Sequence, residues 1–119
     1  MPEPAWLPTR ADLETIATNT GFKQPEPFDV LNTVAAALRA EAFESTEDAA
    51  GLLYQLIMAT RPYAEDSWAY ALEAARVVLI ANGFPFRHTN HERVQALRDD
   101  VESGLLAAPS DIGRRLTAL

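Results

Sequence analysis

The sequence predicts an all-α fold, a compact bundle of about six helices around two central apolar ones. Three observations carry that expectation. Apolar residues recur every three or four positions along most of the chain, as one face of a helix requires. No segment of useful length alternates with period two, and nothing repeats at a fixed spacing, so sheets and solenoids are poor readings. With 119 residues, 48% of them hydrophobic, the chain has room for one core and no second domain. Residues 1–119 therefore read as a single domain whose first eight residues form a loosely ordered arm.

The elements follow in order. Thr9 with Asp12 has the form of a helix N-cap with an acidic third residue, and Leu13, Ile16 and Ala17 supply a short apolar stripe that ends near Gly21. Lys23 to Pro27, carrying Pro25 and Pro27, reads as a connector. Phe28, Leu31, Val34, Ala35, Leu38 and Ala42 line one face of a second helix, opposite Arg39 and Glu41. Ser45 with Asp48 repeats the capping pattern before a run from Ala49 to Ala59 that is apolar almost all round, Gln55 excepted. A second such run spans Trp68 to Ala81, broken by Glu73 and Arg76 and closed by Asn82-Gly83, a good left-handed C-cap. These two runs predict the buried centre. Pro85 and Arg87 to Asn90 read as a loop, Val94, Leu97 and Val101 as the face of a helix ending near Gly104, and Ser110 as the cap of a last short helix through Ile112 and Leu116. Asn-Gly also suits a tight turn, so a small hairpin near Phe84 and Phe86 is a minor alternative.

Composition removes several function classes. The absence of Cys excludes disulfides, thiolate metal sites and cysteine nucleophiles, and makes a reducing cytoplasm the expected location. A net charge of -7 with a single Lys, Lys23, argues against nucleic-acid and anionic-membrane partners, which require clustered cations. Arg114-Arg115 is the one adjacent basic pair, and on a terminal helix such a pair more often complements the helix dipole. Met1-Pro2-Glu3-Pro4 lacks the basic start of a secretion signal, and no apolar stretch is long enough to span a bilayer without charge.

Recognisable chemistry is scarce. No Gly-rich phosphate loop, nucleophile elbow or His-Glu-x-x-His zinc motif occurs. His88 and His91 stand three apart beside Glu92, yet two imidazoles alone do not hold zinc, and exposed loop histidines are the simpler reading. Glu65 and Asp66 could serve as a carboxylate pair for acid–base or Mg²⁺ work; capping a helix is the simpler role.

The stretch Arg61-Pro62-Tyr63-Ala64-Glu65-Asp66-Ser67-Trp68-Ala69, followed by an Ala- and Val-rich helix ending Leu79-Ile80-Ala81-Asn82-Gly83, resembles the signature of the Fic/Doc family and its next helix. That signature runs His-x-Phe-x-Asp/Glu-Gly/Ala-Asn-Lys/Gly-Arg. The similarity is best to the death-on-curing (Doc) branch and extends from about Ala49 to the C-terminus, less clearly back to Pro8. It implies a Fic/Doc-like helical fold and an ancestry in phosphoryl or adenylyl transfer to protein hydroxyls, with Mg²⁺ and ATP.

The resemblance also implies that this chemistry has degenerated. Arg61 stands where the family has its His base, and a guanidinium stays protonated at physiological pH. Tyr63 replaces the Phe, and Glu65 keeps the acidic position, the one weak candidate metal ligand. Ser67 replaces the Asn, Trp68 fills the Lys/Gly position, and Ala69 replaces the phosphate-clamping Arg. Asp66 at the helix N-terminus is expected to accept the free backbone donors itself and to repel phosphate, while Trp68, pointing inward, would plug the anion hole. Core packing is the simpler role for Trp68 and Tyr63. No catalytic residue and no cofactor are expected, and the function implied is that of a binding or regulatory protein related to toxin–antitoxin systems. Its partner would be an antitoxin-like or other polypeptide seated in an apolar trough supplied by the helices that carry Leu31, Val34 and Leu38 and Val94, Leu97 and Val101; the alternative is that both stripes are consumed by the core or by a homodimer. An active transferase with a divergent motif is the alternative.

Overall fold

The computed structural model describes residues 4–19, 30–63, 66–84 and 90–119. Among these, every regular element is a helix: α1 (Arg10–Asn19), α2 (Val30–Ala40), α3 (Thr46–Thr60), α4 (Ser67–Ala81), α5 (His91–Glu102) and α6 (Pro109–Thr117). The all-α expectation holds, and among the described residues no helix is long and apolar enough to cross a membrane. Gly21, Lys23, Pro25, Pro27, Phe28, Phe86, His88 and Glu65 lie outside the described residues.

The helix starts follow the local chemistry that their sequences encode. Thr9 and Asp12 form a reciprocal cap, the Thr9 N–H donating to Asp12 Oδ2 at 2.9 Å and the Asp12 N–H to Thr9 Oγ1 at 3.2 Å. Ser45 Oγ likewise accepts from the Asp48 N–H at 3.2 Å. At the end of α4, Gly83 with φ 86° makes the turn that a side chain disfavours. The Phe84 N–H then reaches back to Leu79 O at 2.8 Å and the Gly83 N–H to Ile80 O at 3.0 Å. Asn82 adds a long-range tie, since its amide exchanges bonds of 2.8 and 2.9 Å with the backbone of Trp6, within the N-terminal arm.

Three local expectations are corrected. Ser110 lies inside α6, which starts instead at Pro109 after Ala108, because proline at the first helical position fixes φ where no N–H partner is needed. Ala42 falls beyond the end of α2 and is exposed, so the stripe stops at Leu38. Ala59 is exposed too, because α3 turns its last residues away from the core.

Leu13, Leu31, Leu38, Leu53, Ile57, Leu79, Leu97 and Ile112 are fully buried, with Tyr54 and Tyr70 as the bulkiest members of the same core. The Tyr70 O–H donates to Leu13 O at 2.8 Å, which ties α4 to α1 and satisfies a phenol that would be costly to bury alone. The centre is α3, packed along α4 as expected and along α6 more extensively still. Sequence pattern alone places α6 at the periphery. Two glycines bring it inward: a Cβ on Gly51 would meet Pro109 O at 1.9 Å, and one on Gly113 would meet Glu47 O at 2.0 Å. Each helix thus lays its backbone against the other where side chains would hold them apart.

Candidate functional site

The N-terminus of α4 and the C-terminal halves of α3 and α5 enclose an open groove of about 600 Å³. Its apolar wall comes from Met58, Ala59, Val101, Leu106 and Ala107, and its polar groups are Gln55, Arg61, Ser67, Arg98 and Glu102, with Trp68 between the two sets. Three of the seven motif positions therefore converge here: Arg61, Ser67 and Trp68.

Backbone geometry positions each of them. Arg61 is the C-cap of α3, held at φ 50° and ψ 57° with its N–H on Ile57 O at 2.9 Å. It is the one non-glycine residue with positive φ among the described residues. That left-handed turn ends α3 and lets Pro62, which is buried, start the link to α4. Ser67 opens α4 and is 2% exposed, its Oγ accepting from the Tyr63 N–H at 3.0 Å. The Asp66 N–H donates to Tyr63 O at 3.1 Å, which ties the start of α4 to Tyr63.

Two expectations about this turn are revised. The Asp66 carboxylate makes no capping bond to α4, because Asp66 has helical φ and ψ where a capping side chain needs an extended residue; Ser67 braces the turn in its place. Trp68 does not plug the site. Its half-buried indole forms one wall of an open groove, with the Arg98 guanidinium 5.0 Å from the ring centroid. The ring face attracts the cation, so this contact favours an indole at the groove wall over one folded into the core. Tyr63 takes the core role, its ring 4.8 Å from Tyr70 at 76°, edge to face. Ala69 is half-buried and lies off the groove.

Arg98 and Glu102 carry no motif signal and were not singled out from sequence. Arg98 Nε donates to Glu102 Oε1 at 3.1 Å, one turn along α5. Behind them lies Tyr54, 1% exposed, whose phenol is pushed up to about 12 by burial and by the Glu102 carboxylate, against a smaller opposing effect of Arg98. Gln55 Nε2 donates to Ala107 O at 2.6 Å and fixes the loop between α5 and α6 as the groove's far edge.

The trough expected beside two outer helices is not where the sequence placed it. Leu31, Val34 and Leu38 are at most 1% exposed and serve the core, as do Val94 and Leu97. Of the six stripe residues only Val101 lines the groove. His91 and Glu92 are exposed at the start of α5, and no group of three or more potential metal-ligating side chains occurs among the described residues. Comparison with protein-family models, with curated proteins and with solved structures finds no match to this chain.

Proposed function

We propose that the chain is a binding or regulatory protein, a catalytically degenerate relative of the Doc branch tied to toxin–antitoxin biology, that engages a polypeptide through the α3–α4–α5 groove. The observation that carries this reading is the convergence of Arg61, Ser67 and Trp68 on one groove, at the helix start where the resemblance puts a reaction centre. What those residues offer there is contact and not reaction. A guanidinium at the Arg61 position is a hydrogen-bond donor and no general base, and Ser67 Oγ already accepts from the Tyr63 N–H. An open cleft with an apolar wall and a few polar groups at its rim suits a side chain of another polypeptide.

Affinity purification of the full chain from its native source tests this against an Ala59→Trp variant, which places a large side chain in the groove. A stoichiometric polypeptide partner recovered with the wild type and lost with the variant is expected. Recovery of monomer or self-dimer alone, or a partner indifferent to Ala59→Trp, overturns the reading. Transfer of label from ATP and Mg²⁺ to a co-purified protein, abolished by Arg61→Ala, would instead establish the transferase alternative.

A further inference from the structure

We propose that the groove is selective for an acidic peptide segment, one whose apolar side chain enters against Met58, Val101 and Leu106 while a neighbouring carboxylate is held between Arg61 and Arg98. The proposal rests on the binding reading above and specifies the chemistry of the partner. Charge is the first observation. The chain as a whole carries 17 acidic residues against 10 basic ones, yet the groove reverses that balance, with Arg61 and Arg98 facing Glu102 alone. A concave surface of opposite sign to the rest of the molecule draws an anion to that surface and away from every other.

The second observation is the state of the two guanidiniums. Arg98 is held by Glu102 on its Nε and has its guanidinium carbon over the Trp68 ring, while its two Nη groups have no partner among the described residues. That end of a guanidinium presents two parallel donors, the geometry a carboxylate accepts with both oxygens. Arg61 forms no ion pair among the described residues. Its backbone occupies a left-handed position that glycine fills most easily. An arginine at a position that favours glycine brings to the groove rim a guanidinium that glycine would lack.

The third observation separates a carboxylate from a phosphate. With Glu102 already on Arg98, the groove has one net positive charge, enough to match a single carboxylate and too little for a multiply charged phosphate. The apolar wall beside the arginines gives the rest of a peptide side chain somewhere to go. Glu102 then acts as an internal competitor, holding the guanidinium in place while lowering the pull on an incoming acid.

Two synthetic peptides with the same leucine pattern, one carrying Glu and the other Lys at the intervening positions, test this by titration into the isotope-labelled full chain. Expected are saturable shifts of the Trp68 indole N–H and the Arg98 Nε–H with the Glu peptide alone, weakening as NaCl is raised. Arg98→Gln and Arg61→Gln should each weaken binding about tenfold, the effect of removing one charged hydrogen-bond pair. Glu102→Gln should strengthen it, an effect that general unfolding cannot imitate. Equal response to both peptides overturns the acidic preference and leaves the binding reading standing. No response at Trp68 to either peptide, or affinity unchanged in both arginine variants, also overturns the proposal. The binding reading is then judged by the Ala59→Trp purification on its own.

Discussion

Arg61 combines a left-handed backbone with a guanidinium on the groove rim. Its φ of 50° suits glycine, and the ordinary penalty for an L side chain there is about 1 kcal/mol. Arg61→Gly is therefore expected to raise stability by about 0.5–1 kcal/mol, read from the urea midpoint at unchanged slope, while removing one of the two groove cations. A fall in stability would mean that the Arg61 side chain packs more than its exposure suggests. The residue is conspicuous in the sequence because it stands where the signature that the run resembles has its His, and the same run yields Ser67 and Trp68. Arg98 and Glu102 could not be found that way. Their part in the groove depends on α5 lying beside the start of α4, and no spacing within either helix encodes that approach. The pairing of Trp68 with Arg98 joins residues far apart in sequence, and an arginine on an amphipathic helix looks like any solvated residue until its neighbour is known.

At the level of elements, the α3–α6 crossing decides the architecture and rests on Gly51 and Gly113. In an exposed helix, glycine to alanine gains about 1 kcal/mol. Here the added methyl would meet backbone oxygen at about half of a normal contact distance, at Pro109 for Gly51 and at Glu47 for Gly113. Overpacking of that kind costs about 1–3 kcal/mol or more, so the clash outweighs the propensity gain. Gly51→Ala and Gly113→Ala are each expected to lower stability by about 2 kcal/mol or more in urea unfolding. Because either one separates the same helix pair, the double variant should lose less than the sum of the two. Stabilisation by either single change would remove the close crossing. The six helices were readable from caps and apolar periodicity, Thr9 with Asp12 and Ser45 with Asp48 most clearly. The rank of α6 was not, because a close backbone approach is signalled only by a missing side chain. Two glycines among helical residues look like weak helix formers rather than an interface. The stripe of α2 is legible as apolar, and its use by the core instead of a trough is not, since periodicity says which face is buried and not whether the chain's own core or a partner buries it.

On the scale of the whole molecule, all three tyrosines of the chain bear on the core, and alkaline pH reports on it directly. Burial raises the phenol of Tyr54 to about 12 and that of Tyr70 further, and Tyr63 moves in the same direction, by burial first and then by the Glu14 carboxylate. For each, the folded state holds its proton more tightly than the unfolded state does. The stabilisation is thus fully present below the unfolded phenol pKa of about 10, and is lost as pH rises from there through the folded values. Tyr54 and Tyr70 are 1% and 0% exposed, and the Tyr70 O–H is spent on Leu13 O, so neither phenolate can form without opening the contact between α1 and α4 or the core behind the groove. The phenolate absorbance at alkaline pH should therefore rise cooperatively and together with loss of the far-ultraviolet helix signal, in a transition shared by Tyr54 and Tyr70. Tyr63, less deeply placed, should begin to titrate earlier. Added urea should move the shared transition to lower pH, because it weakens the burial that holds the protons in place. Ionisation of all three tyrosines near their ordinary pKa with the helix signal intact would mean that the core around Tyr54 and Tyr70 admits water, and that the groove and the core behind it are not separate compartments.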